Sequence, residues 1–281
     1  MEKFPLRRWW KAHEIERIWP ETLLRMKEAY YVAACSRFKT MNFVKDHAWV
    51  LTSGGIGASA MLLHSKGSLF PVFNGKTDIE PPFFLERALK NITLYSLQGL
   101  AEEVDMLEAM LLPLGLRGRE TVNFKLMTLE KKPPPVKAPA GISFRRAEKS
   151  DSDALLPLQA AYEKEEVLPA GSIFDIRACR YNLDRIIAKE KNLVALMDGR
   201  IIAKINTNAE SYSRCQIGGV YVLPEYRGRG IASCLTSAFS RLLLAENKGI
   251  NLFVDNSNIA ARKAYARCGF KEIADYRIVY L

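Results

Sequence analysis

The sequence predicts an α/β chain in two parts, and three features carry that reading. Short apolar runs alternate with amphipathic ones in both halves. Two tight glycine turns, Lys66-Gly67 and Asp198-Gly199, each join a pair of apolar runs as a hairpin. A proline-rich stretch, Glu130 to Gly141, separates the halves. Its prolines can continue neither a helix nor a central strand and favour a semi-rigid extended spacer. The expected division is therefore a smaller α/β domain over 1–130, a spacer over 131–140 and a second domain over 141–281.

In the first half, Lys11 to Arg37 reads as largely helical, interrupted or started at Pro20. Ala48 to Thr52, Ser59 to His64 and Ser68 to Phe73 read as strands, Pro82 to Lys90 as helix, Ile92 to Leu97 as strand, Leu100 to Leu112 as helix and Thr121 to Leu129 as strand. Ser53-Gly54-Gly55-Ile56-Gly57 invites comparison with a phosphate loop. No Lys-Ser/Thr follows it and a strand comes next, so a turn is expected there.

Composition narrows the function. The 281 residues suffice for two buried cores. Met1-Glu2-Lys3-Phe4-Pro5 begins no secretory signal and no apolar run is long enough to span a bilayer, so a cytoplasmic protein without a membrane partner is expected. Five scattered cysteines without a Cys-x-x-Cys pair, and three histidines without ligand spacing, point to reduced thiols and to no metal. The net charge of +10 is spread along the chain with no polybasic tail. It reads as a solvated surface that would also attract a polyanionic ligand, and no nucleic-acid partner is expected.

Past the spacer, Ile142 to Ala147 reads as a strand and Asp153 to Tyr162 as a helix capped by Ser150 or Asp151. A second helix over Ile173 to Lys189 is followed by the hairpin strands Asn192 to Met197 and Arg200 to Asn206, and by a strand over Cys215 to Val222. That strand runs into Leu223-Pro224-Glu225-Tyr226-Arg227-Gly228-Arg229-Gly230-Ile231-Ala232, and then into a helix with Ile231, Leu235, Ala238, Leu242 and Ala245 expected on one face. The N–H groups of Gly228 to Ala232 would then sit at a helix N-terminus, where the dipole favours an anion. Gly228 and Gly230 let a ligand approach the main chain, and Arg227 and Arg229 add positive charge. After a strand over Ile250 to Val254, Asp255 to Phe270 reads as a polar cap, a short helix and a glycine stop, with Asn258, Ala261 and Tyr265 on one face.

These two segments together resemble the GNAT superfamily of acyl-CoA-dependent N-acetyltransferases. Arg227-x-x-Gly230-x-Ala232 matches one signature of that family; Asn258, Ala261, Tyr265, Gly269 and Phe270 match another. The resemblance covers about Gly141 to Leu281 and implies a mixed central sheet flanked by helices. The order of elements in the first half loosely echoes it, which suggests a degenerate GNAT-like half. It also implies that acetyl-CoA is the cosubstrate and an unidentified primary amine the acceptor, with a homodimer among the expected assemblies. The family often ends in two closing strands where this chain has room for one, so another element, from the first half for example, is expected to cover that sheet edge.

On this reading the N–H groups of Arg229, Gly230, Ile231 and Ala232 bind pyrophosphate, while backbone groups of Tyr221, Val222 and Leu223 pair with the pantetheine amides. Gly218-Gly219 reads either as a bulge that opens the cofactor slot or as close core packing. Val220 N–H is the expected oxyanion donor by family position, and Tyr265 the acid that protonates the leaving thiolate. Asn258 is expected to bond the cofactor, cap its helix, or both. Several family members place a Glu eleven residues before the signature Arg; here that residue is Gln216, so a water relay or a carboxylate from Glu163, Glu165 and Glu166 must serve, Glu166 being the choice made. The rival reading is a non-catalytic CoA sensor.

Overall fold

A computed structural model of the chain describes residues 7–53, 57–75, 83–169 and 171–281. Two compact units emerge: Met1–Lys125 with Ala274–Leu281, and Leu126–Ile273.

The first unit runs β1 (Arg7–Lys11), α1 (Ile18–Met26), α2 (Val32–Lys39), β2 (His47–Ser53), β3 (Ala58–Ser65), β4 (Ser68–Phe73), α3 (Phe83–Leu89), β5 (Ser96–Leu100) and α4 (Ala101–Leu111). Strands β1 to β4 form an antiparallel meander; β4 then pairs parallel with β5 through Ser68↔Ser96 and Leu69↔Leu97. The β3–β4 hairpin turns at Lys66 and Gly67, both left-handed with φ 52° and 76°, the conformation a two-residue turn requires. Leu62, Leu69, Phe73, Leu97, Val104, Leu107 and Leu111 build the core.

Two expectations in this unit change. The long helix over Lys11 to Arg37 is two helices, because Lys27 and Tyr31 leave helical geometry at φ −130° and −125°. The strand expected from Ile92 starts at Ser96; Ile92 and Leu94 satisfy their apolar character by packing on the core from a turn, without joining a ladder. Gly54 to Ile56 of the glycine-rich stretch lie outside the described residues.

Strand β6 (Glu120–Leu129) enters the second unit at Leu126. There follow β7 (Ile142–Arg145), α5 (Ser152–Tyr162), α6 (Ile176–Lys189), β8 (Asn192–Met197), β9 (Arg200–Glu210), β10 (Arg214–Val222), α7 (Ile231–Leu243), β11 (Gly249–Asp255), α8 (Ile259–Arg267) and β12 (Lys271–Tyr280). The strand order in this unit is β7-β8-β9-β10-β11-β6. Strands β7 to β10 are antiparallel neighbours and β10 is parallel to β11. The β8–β9 hairpin turns on Asp198 and Gly199 at φ 50° and 78°.

The first unit repeats this plan: four antiparallel strands, a parallel fifth, then a strand supplied by the other half of the sequence. In the first unit that strand is the end of β12, from Tyr276↔Leu100 to Tyr280↔Ser96. In the second it is β6, where Thr128 Oγ1 donates to Ile250 O at 3.4 Å. The sheet edge beside β11 is thus covered by a first-half element.

The core of the second unit gathers Leu129, Ile202, Ile217, Leu235, Phe239, Ile250, Leu252 and Phe270. The buried face of α7 is Ile231, Cys234, Leu235, Phe239 and Leu243, which corrects the face read from sequence: Leu242 is 59% exposed. Both i+3 and i+4 steps keep residues on one side, and the bulky Phe239 decides which row turns inward. The spacer is fastened along α7. Ser237 Oγ donates to Pro134 O at 2.9 Å, Arg241 Nη1 to Pro133 O at 2.8 Å and Cys234 Sγ to Lys137 O at 3.2 Å. No helix among the described residues is long and apolar enough to cross a membrane.

Val279 is fully buried in the first unit although it comes from the end of the chain. Val279→Ala is expected to lower the stability of that unit by roughly 2 kcal/mol in denaturant unfolding, through the lost methyl groups and the cavity they leave.

Candidate active site

The site starts from an interruption in β10. Its register with β9 pairs Gly218↔Asn206 and then Tyr221↔Lys204, so Gly219 and Val220 face the single residue Ile205: a bulge. On the other side the ladder with β11 runs from Arg214↔Gly249 to Ile217↔Leu252 and ends where the bulge begins. Gly219 and Val220 fall outside both ladders. Further along, Leu223 N–H donates to Ile202 O on β9 at 3.0 Å; by strand alternation the backbone of Val222 faces the β11 side.

Two side chains fix the bulge. Gly219 N–H donates to Tyr162 Oη at 3.3 Å, and Lys204 Nζ donates to Gly219 O at 3.0 Å while lying 4.4 Å from the centre of the Tyr162 ring. Gly219 is required on two counts. Its φ of +60° is left-handed, and a Cβ there would collide with Asn206 Oδ1 and lie 3.0 Å from Lys204 Nζ. Burial pushes the Lys204 amine down to about 7, against the opposing pull of the Glu163 carboxylate.

After β10 a turn over Pro224–Tyr226 leads to Gly228 and Gly230, left-handed at φ 78° and 77°, with open space where a Cβ would stand. Gly230 caps α7 with no side chain over the first N–H groups of the helix, which carry the positive end of its dipole. The Arg227 guanidinium is engaged as a strut: Nε donates to Val222 O at 3.0 Å and Nη2 to Glu165 Oε2 at 2.8 Å. Tyr221 Oη donates to Glu165 Oε1 at 2.6 Å, and these two bonds hold the Glu165 carboxyl below the usual range. Arg229 donates to Glu225 O at 3.1 Å and lies over the Tyr226 ring at 5.3 Å.

Asn258 caps α8, its Oδ1 accepting from Ala261 N–H at 3.0 Å. Two helical turns on from Asn258, Tyr265 is only 9% exposed and packs edge to face on Phe270. Burial, then the nearby Tyr162 phenol and Glu166 carboxylate, raise its pKa above the ordinary phenol value. Glu166 belongs to a π-helical turn, Glu163–Val167, that extends α5. Burial, then Glu165 and Asp255, raise its pKa, and Arg227 opposes them. Tyr265, Tyr162 and Glu166 are thereby brought together from α8, α5 and the turn beyond it. Of the other carboxylates in that turn, Glu165 belongs to the Arg227 strut and Glu163 accepts from Gln159 Nε2 at 2.8 Å. Gln216 is buried, and its Oε1 lacks a hydrogen-bond partner.

Sequence reading missed Tyr162 and Lys204. Lys204 did leave a signal, a cation inside the apolar run Ile201 to Ile205, whereas nothing local to Tyr162 announces that it will meet Gly219.

The matching place in the first unit, the end of β4 beside β5, is closed by its own side chains. Glu103 Oε1 accepts from Phe73 N–H at 3.1 Å and from the Tyr31 hydroxyl, and that hydroxyl also lies 3.4 Å from Phe73 O. Burial raises the Glu103 carboxyl to about 7 despite these two donors.

Residues 156–270 match the model of the acetyltransferase (GNAT) family. No protein of curated function matches the chain. Among solved structures it is similar to a GCN5-related N-acetyltransferase from Sphaerobacter thermophilus, at 16% identity over 97% of this chain and 95% of that one, TM-score 0.62. A GNAT-family acetyltransferase from Colwellia psychrerythraea is similar at 14% identity over 98% and 99% of the two chains, TM-score 0.57. A tandem GNAT protein from the clavulanic acid biosynthesis pathway is similar at 13% identity over 98% of both, TM-score 0.55. At these identities the likeness is one of fold, and the tandem arrangement agrees with the repeated strand plan of the two units.

Gly219→Ala is expected to destabilise the second unit by about 2–3 kcal/mol, against about 1 kcal/mol for Gly228→Ala, which meets the same φ penalty in open space. Chemical denaturation of the two variants checks the order. In the first unit the folded pKa of Glu103 lies above its unfolded value. Its stabilisation is therefore complete below the ordinary carboxylate pKa and is lost as pH rises through about 7. Glu103→Gln should flatten that part of the stability profile.

Proposed function

Residues 156–270 form a GNAT-family acetyltransferase domain, and from that premise we propose that the chain is a cytoplasmic enzyme that transfers the acetyl group of acetyl-CoA to a primary amine. The observation that carries this is the end of β10–β11 pairing at Ile217↔Leu252, directly before a bulge and on the same strand that leads into the uncapped N-terminus of α7. A slot between diverging strands suits an extended amide-bearing arm, and a helix start with open glycines suits a diphosphate. The residues present therefore fit coenzyme A. The activity is assigned to 141–281, with 131–140 as its spacer.

Main-chain N–H groups of Arg229 to Ala232 hold the diphosphate. The Val222 N–H, on the β11 side, serves the pantetheine amides, whereas the backbone groups of Tyr221 and Leu223 face β9, which corrects their expected part in that pairing. Leu223 has both backbone groups engaged, its N–H donating to Ile202 O and its carbonyl accepting from Tyr226 N–H. Arg227 acts by stiffening the strand end through Val222 and Glu165, and its charge still biases the loop toward an anion. Acetyl-CoA supplies an activated thioester carbonyl. Val220 N–H donates to its oxygen as negative charge develops there. Tyr265, held neutral by burial, keeps a proton for the departing sulfur. Glu166, with its raised pKa, takes the proton of the amine, directly or through water. Asn258 positions α8, and with it Tyr265, through its cap.

Calorimetry with acetyl-CoA tests the premise, and no detectable affinity would overturn it. Thiol release measured across a panel of primary amines then identifies an acceptor. With that acceptor, Tyr265→Phe is expected to lower kcat by about 100-fold while the dissociation constant for acetyl-CoA stays within about threefold. Equal loss of both would reassign the phenol to packing.

A further inference from the structure

Lys204 is a cation where a strand interior calls for an apolar side chain. It stands between Ala203 and Ile205 on β9 and is only 5% exposed. Each element packed around its amine contributes a known group: the Tyr162 ring from α5, Glu163 from the π-helical turn, Cys179 from α6 and the Gly219 carbonyl from β10. Among the described residues no carboxylate hydrogen-bonds to Nζ; the bonded oxygen is that of Gly219, at 3.0 Å.

That oxygen belongs to the same planar peptide unit as the Val220 N–H. In a trans peptide the C=O and N–H point in opposite directions, and no cis bond occurs among the described residues. Holding Gly219 O on the Lys204 amine therefore turns Val220 N–H away from that amine, on the part of β10 where the β11 ladder has ended. Beyond the bulge, strand alternation puts Leu223 N–H toward β9 and Val222 away from it, on the side where the β11 ladder has ended. The other peptide flanking Gly219 is held by Tyr162, so the bulge has little freedom to rotate.

We propose that Lys204 is a positioning residue for the transfer reaction: by binding Gly219 O it aims the Val220 N–H into the slot and polarises it toward the thioester oxygen. This rests on reading the slot as the acetyl-CoA site. The chemistry is cooperative hydrogen bonding, in which a charged donor on the carbonyl strengthens the N–H of the same amide. The lowered pKa of Lys204 makes that charge adjustable near neutral pH.

The test reads the carbonyl itself, without an acceptor: difference infrared spectra of [1-13C]acetyl-CoA bound to the whole protein, with affinity measured in parallel. In the wild type the thioester carbonyl band is expected below its position in free acetyl-CoA. Lys204→Met should lose about half or more of that displacement while the dissociation constant stays within about threefold. Lys204→Gln, which keeps an N–H donor on a side chain one bond shorter, should restore part of it.

A full displacement retained in Lys204→Met overturns the inference and leaves the acetyl-CoA reading standing; failure of the wild type to bind acetyl-CoA overturns both. If Lys204→Met does not fold, the wild type decides. The displacement should shrink as the pH is raised from about 6 to about 8.5, as Lys204 loses its proton, and a band that does not move overturns the proposal. Absence of that trend in Lys204→Gln separates Lys204 from ionisation of Glu163 or Glu166.

Discussion

The interrupted ladder between β10 and β11 is the constraint from which the rest of the second unit follows. A strand inside a sheet satisfies its backbone on both sides, and here one side stops at Ile217 while the chain continues to Val222. Such a gap persists only if the strand is prevented from closing onto its neighbour. The extra residue in the bulge bends β10 away, Gly219 makes the bend sterically accessible, and Tyr162 and Lys204 fix both of its peptides. Without them the strands could zip together and no slot would remain.

The electrostatics are arranged around that gap. Glu165 serves Tyr221 and Arg227, so one carboxylate is spent on rigidity, below its ordinary pKa, while its neighbour Glu166 is half-buried and raised. Adjacent residues thus have their proton affinities pushed in opposite directions, Glu165 down by the Tyr221 hydroxyl and the Arg227 guanidinium and Glu166 up by burial. The same turn brings Glu166 toward Tyr265, which places a group able to take a proton near one able to give it.

The two units show how one strand plan can hold a site or close it. Both place a parallel pair after an antiparallel meander, and both borrow a last strand from the other half of the sequence. In the second unit the helix after the parallel strand offers Asn258, Ala261 and Tyr265. In the first, the corresponding helix α4 offers Glu103, which with Tyr31 bonds the end of β4 from within. A buried Glu103 that accepts from both Tyr31 and Phe73 suits a structural clasp.

Much of this protein was legible in its sequence, wherever the determinant is local. The left-handed pairs at Lys66-Gly67 and Asp198-Gly199, the glycine start of α7, the Asn258 cap and the stop at Gly269 follow from side chains acting within a few residues. The motif spacing around Arg227 and Tyr265 is equally local. Which row of α7 turns inward, where the strand after Asn91 begins, and that Arg227 becomes a strut required knowing what lies opposite each residue. A first-half cover for the sheet edge was expected, but that β6 provides it, the departure of β12 to the first unit and the meeting of Lys204 with Gly219 were decided by tertiary structure alone. Each joins groups at least fifteen positions apart in sequence, and no pattern of neighbours encodes which distant backbone a side chain or a strand edge will find.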